Sequence, residues 1–182
     1  MNDRARQTGY LAFFVSGICA ISCGVIVSLL QESRGLDYGI IGTLLSAMNI
    51  GNLAAGFLTG LLPAKLGTKP TVLLLTAGYA LGYALMLPHG GAALLALGWL
   101  LVGLAKGCAM NTCTLLVGDN APDRTKGMNT MHACYACGAL LCPVLAALAG
   151  RLALDAPIGA AGRFGRCTVA FVCCRTAGDG EK

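Results

Sequence analysis

Four stretches of this chain contain no Asp, Glu, Lys or Arg: Gly9 to Leu30, Gly39 to Leu62, Pro70 to Ala105 and Gly127 to Gly150. Each is long enough to cross a bilayer, which takes about 20 residues at ~1.5 Å per residue. The third is too long for one crossing, and Pro88-His89-Gly90-Gly91 cuts it in two. The expectation is therefore five helices, at about 9–30, 39–62, 71–87, 92–117 and 127–150, after a short N-terminus over 1–8. The runs are continuously apolar and do not alternate as a barrel strand of about 10 residues does, so helix is preferred over strand.

Composition supports a bilayer. Only 12% of residues are charged and 56% are hydrophobic, with mean hydropathy +0.72, whereas an ordinary soluble domain is about 25% charged. A soluble domain of about 150 residues buries only about 70% of its surface and could not hide this much apolar area. The first apolar run, 22 residues, exceeds the roughly 7 to 15 of a signal-peptide core. With the N-terminus cytoplasmic, the inner segments hold Arg4, Arg6, Lys65, Lys69, Arg124 and Lys126, while the first two outer loops hold only Arg34. That asymmetry predicts a multi-pass protein of the cell membrane with its N-terminus inside. Small residues four apart, Gly56/Gly60, Gly78/Gly82 and Gly103/Gly107, predict closely packed helices.

All eight acids, Asp3, Glu32, Asp37, Asp119, Asp123, Asp155, Asp179 and Glu181, fall outside the five spans. Lys106 stands near the middle of the fourth, where a lysine should face an aqueous cavity and serve as a cationic contact for a solute, the alternative being a side chain that snorkels or ties down a backbone carbonyl. The other polar residues gather on helices two, four and five. Candidate solute-binding residues are Lys106, Asn49, Asn52, Asn111, Asn129 and His132; each asparagine can equally bond helix to helix, and a lone histidine near a helix end is more often structural. Helix three offers only Thr71, Thr76 and two tyrosines.

Ten cysteines include Cys134-x-x-Cys137 and Cys19/Cys23, yet no second pair stands at zinc-ribbon spacing, and within apolar spans cysteine acts as a small hydrophobe. No metal or cofactor is expected. There is no phosphate loop, dinucleotide fingerprint or H-E-x-x-H, so the chain does not read as an enzyme. Its net charge of +5 comes largely from loop residues that set topology, so nucleic acid is not an expected partner.

Two stretches carry a family resemblance. In "GLLPAKLGTKP", the order Gly60, Leu62, Lys65, Gly67, Lys69 resembles the signature loop G-x-L-a-D-[RK]-x-G-[RK]-[RK] of the major facilitator superfamily, with Ala64 in place of Asp and Thr68 in place of a basic residue. "NTMHACYACGALLCP", with Asn129, His132, Tyr135, Gly138-Ala139 and Pro143, resembles the fifth helix of sugar permeases related to the fucose permease. The resemblance covers about residues 8–150. It implies an all-α integral membrane protein whose five-helix bundle resembles an incomplete N-terminal half of that fold. It also implies secondary transport of a small polar, sugar-like solute, with helices one, two, four and five around the cavity and helix three as peripheral scaffold. The acids that the fucose permease places in its first and fourth helices have no counterpart here, so proton coupling is not implied.

After Gly150, residues 151–182 are interrupted by Asp155, Arg163 and Arg166 and are expected not to span. The chain is expected to be a fragment, with another reading frame near codons 150–160 encoding a sixth helix and a second half. Its expected partners are the lipid bilayer, a small-molecule solute, and either that missing C-terminal half or a second copy. The competing reading is a small structural or interacting membrane protein that associates through its glycine-rich faces and carries nothing.

Overall fold

The computed structural model describes residues 3–66, 68–86 and 91–152. Gly67 of the signature loop and the tail from residue 153 onward lie outside the described residues, as does the side chain of Lys69. Five helices make up the described chain: α1 (Asp3–Arg34), α2 (Tyr38–Leu66), α3 (Thr68–Met86), α4 (Ala92–Asn120) and α5 (Arg124–Leu152). The architecture is the all-α bundle expected of the apolar runs. Four helices are long and apolar enough to cross a membrane, over Asp3–Glu32, Tyr38–Leu66, Ala92–Asn120 and Arg124–Leu148. The shortest is α3, with 19 residues.

Charged residues decorate the helix ends. Asp3 occupies the first turn of α1 and Arg34 its last, each opposite in sign to the dipole end it faces. The turn between α1 and α2 needs only three residues. Gly35 takes a left-handed φ of 61°, and its N–H donates to the Gln31 carbonyl at 3.0 Å, closing α1. Asp37 then opens α2 by accepting from the Gly39 N–H at 3.0 Å. Asp123 does the same for α5, its carboxylate accepting from the Lys126 N–H at 3.1 Å. Pro63 does not end α2, which continues to Leu66; a proline so near a helix end removes one backbone bond without breaking the helix.

At the centre lies α4, which packs against all four other helices, while α5 lies against α1 and α2 against α3. Small residues set the approach. A Cβ on Gly82 would lie 2.6 Å from the Gly98 carbonyl of α4, and one on Gly107 would lie 2.7 Å from Ala55 Cβ of α2. Gly103 faces the Met48 backbone, and Gly17 and Gly138 face each other's helices across the α1–α5 seam. The pair Gly56/Gly60 is a correction to the sequence expectation, since nothing lies within 4 Å of either position. On α2 the contact with α4 is made instead by Gly51 and Ala55, which turn Gly56 and Gly60 toward the open face beside Leu53, Phe57 and Leu61.

The core follows from this arrangement. Trp99, Tyr79, Tyr83, Ile26, Leu30 and Val102 form a cluster where α1, α3 and α4 meet, and Phe13, Cys113, Val117 and Met131 form a second between α1, α4 and α5. Burial is uneven. Only 17% of the apolar window of α2 and of α5 is covered, against 59% for α1 and 50% for α4.

Candidate functional site

Lys106 sits fourteen residues from each end of α4, the midpoint of the helix, so ~21 Å of helix separates it from either end. Trp99 and Cys113 lie seven residues before and after it, about two turns away on the same face. That face is the buried one: Trp99 and Val102 are wholly covered, Ala109 and Cys113 nearly so. Lys106 itself is half-buried, and Cys23 of α1 lies within its electrostatic reach. On insertion scales a lysine at this depth is unfavourable by about 2.5 to 3.5 kcal/mol. Ion pairs do not relieve it. The described pairs are Arg6–Asp3 at 3.0 Å and Lys126–Asp123 at 3.8 Å, both near helix starts.

Behind Cys23 lies a hydrogen-bonded seam that the sequence did not single out. The Tyr83 hydroxyl of α3 lies 2.8 Å from the Cys19 carbonyl and 2.7 Å from Ser22 Oγ, and Ser22 Oγ lies 2.7 Å from the same carbonyl, so the two hydroxyl protons serve two of these three contacts, one at least donated to the carbonyl. Tyr79 pairs with Ser16 at 3.3 Å. The two tyrosine rings stack with centroids 6.4 Å apart, both wholly buried. Two tyrosines one turn apart in an apolar helix need partners for their hydroxyls; that was the available signal, and Gly78 and Gly82 beside them are what admit the rings so close to α4. The sequence shows the two tyrosines of α3 without placing them; both rings are core.

The remaining candidates divide. Asn52 Oδ1 lies against Gly107, next to Lys106, where a Cβ would be 2.8 Å away. Asn111 Nδ2 donates to Thr59 Oγ1 at 3.0 Å across the same α2–α4 seam, and Thr59 donates in turn to the Ala55 carbonyl at 2.7 Å. Asn52 and Asn111 thus share the α2–α4 seam, while Lys106, one residue before Gly107, is directed to the neighbouring face of α4 on the side of α1. Asn49, Asn129 and His132 are exposed, and among the described residues no hydrogen bond or ring contact joins them to it. The His132 ring stands edge-on to Phe13 at 5.6 Å, with Tyr135 packed on Phe13 at 5.1 Å. In the signature loop, Gly60 lies on the open face of α2, Lys65 is exposed in its last turn, and Lys69 falls in the first turn of α3. Among the described residues no cluster of His, Cys, Asp and Glu could hold a metal ion.

A bundle of long apolar helices, with a cation midway along its central one, defines a multi-pass membrane protein. The chain belongs to the Major Facilitator Superfamily, whose family model matches residues 9–162. It is 31% identical over 134 residues to an uncharacterized MFS-type transporter of Yersinia pestis, covering 72% of this chain and 34% of that protein. It is 28% identical over 163 residues to the class E tetracycline resistance protein of Escherichia coli, covering 84% of this chain and 39% of the relative. The minor myo-inositol transporter IolF of Bacillus subtilis is 29% identical over 142 residues, 77% of this chain and 32% of that one. The chain thus spans about a third of the length of these relatives.

Proposed function

We propose that the chain is the first part of a secondary transporter of a small polar, sugar-like solute, placed in the plasma membrane with its N-terminus cytoplasmic. The observation that carries the reading is the uneven covering of the bundle. The apolar windows of α2 and α5 are only 17% buried, and both helices turn polar side chains outward there, Ser46 and Asn49 on one, Asn129 and His132 on the other. A face that is both apolar and polar suits a second half closing over a solute path, as transporter repeats do at the bilayer midplane. In this reading Lys106, half-buried at the midpoint of α4, and Asn52 of α2 are this chain's contribution to that path, and Asn111 holds α4 to α2 through Thr59. Transport, with no covalent step, is the activity this arrangement supports.

The complete product of the gene, reconstituted in proteoliposomes, is expected to exchange at least one labelled sugar or polyol, D-glucose and myo-inositol being the first probes, in a counterflow assay. A second reading rests on Gly56 and Gly60, which stand open with nothing within 4 Å. If no solute exchanges and the chain cross-links to itself through α2, it is a non-transporting membrane protein that self-associates.

A further inference from the structure

Lys106 brings a positive charge to the middle of a bundle that holds no described negative charge near it. Glu32, Asp37, Asp119 and Asp123 all lie at helix ends or in turns, and the last of these already pairs with Lys126. Asp3, at the start of α1, pairs with Arg6. Asp155, Asp179 and Glu181 follow the last described helix in sequence. Along its own face of α4 Lys106 lies between the buried Val102 and Ala109, and Cys23 of α1 is within its electrostatic reach; none of these is an anion partner. The neighbouring polar groups on the α2–α4 seam, Asn52 and Asn111, are neutral amides. An uncompensated cation in an apolar span is unfavourable, and such residues mark solute and ion pathways. The opposite charge has to arrive from outside these helices.

Resting on the transporter reading above, we propose that the solute itself supplies it: the substrate is an oxyanion, a polar molecule bearing a carboxylate or phosphate, with Lys106 as its charge partner. An ammonium on a flexible stem suits this role, because it meets an oxyanion as a point charge and tolerates different orientations of the ligand. Asn52, whose amide lies against Gly107, the residue after Lys106, is the group on α2 that would bond the neutral, hydroxyl-bearing part of the same solute. The sugar-like class thereby narrows to sugar acids or sugar phosphates.

The test measures binding to the complete gene product in detergent by titration calorimetry, with four probes: D-glucuronate and D-glucose 6-phosphate as the two oxyanion arms, D-glucose and myo-inositol as neutral controls. At least one oxyanion is expected to bind tenfold or more tightly than either neutral probe. The arm that binds decides between carboxylate and phosphate. Lys106→Met should remove that preference by tenfold or more, whereas Lys106→Arg should keep it, with both variants eluting as the parent does on gel filtration. The proposal is overturned by neutral probes binding as tightly as both oxyanions, by an oxyanion preference that survives in Lys106→Met, or by neither oxyanion binding. In the first two cases counterflow of the neutral sugars can still succeed, so the transporter reading stands or falls separately.

Discussion

Single hydroxyl groups decide how α1 and α3 meet. Tyr83 reaches across to the Cys19 carbonyl and Ser22, and that bond is enclosed by Ile26, Trp99 and Val102 in a core where neither partner has water to turn to. Hydrogen bonds between membrane helices contribute about 0.6 kcal/mol on average and up to about 1.7. Tyr83→Phe is therefore expected to cost about 0.5 to 1.5 kcal/mol in reversible unfolding from detergent micelles. Tyr83→Ala should cost roughly 3 to 5, because truncating a buried aromatic ring opens a cavity beside Trp99. No loss in Tyr83→Phe would mean that the ring packs without its hydroxyl being bonded. At the same scale, Asn111 shows why sequence alone left each asparagine open. Its amide donates to Thr59 only because α2 and α4 pack in this register, and nothing in the residue's identity distinguishes that use from a contact with solute.

Among elements, the contrast between two glycine pairs is the most informative. Gly103/Gly107 and Gly56/Gly60 read identically in sequence, yet the first faces Met48, Asn52 and Ala55 while the second faces open space. Helix periodicity makes both pairs smooth faces; only the partner's position says which face is used. Gly103→Leu should drive α2 from α4 and destabilise the bundle by about 3 kcal/mol or more, read as lost accumulation in the membrane and a lowered unfolding midpoint. Gly56→Leu should change the stability of the monomeric chain by no more than about 0.5 kcal/mol, as an uncovered site allows. A large loss in Gly56→Leu would mean that the open face of α2 is covered in the membrane by another helix.

For the whole molecule, orientation is the property with the sharpest test. The positive-inside tendency places the basic residues at the start of α1 (Arg4, Arg6), at the end of α2 and start of α3 (Lys65, Lys69) and at the start of α5 (Arg124, Lys126) on one side of the bilayer. In a background with the native cysteines replaced, Thr125→Cys at the start of α5 should react with an impermeant maleimide only from the cytoplasmic side. Gly91→Cys, before α4, should react only from outside. Both positions are exposed in the structure. Reversed labelling would invert the orientation of every loop together, since the helices alternate in direction.

The sequence by itself determined that this chain is a helical membrane protein, because uncharged runs of bilayer length admit no other economical home for their backbone and side chains. It also marked Lys106 as exceptional, since a lysine among apolar residues is conspicuous without any coordinates. Local chemistry at Gly35, Asp37 and Asp123 set the turns. Only the tertiary structure decided which glycines were contacts, that Tyr79 and Tyr83 belong to the core, that Asn111 bonds Thr59, and that α2 and α5 are the uncovered helices. The reason is physical. Hydropathy and capping act within a few residues, whereas the face a helix presents to its neighbour depends on how all the helices pack at once.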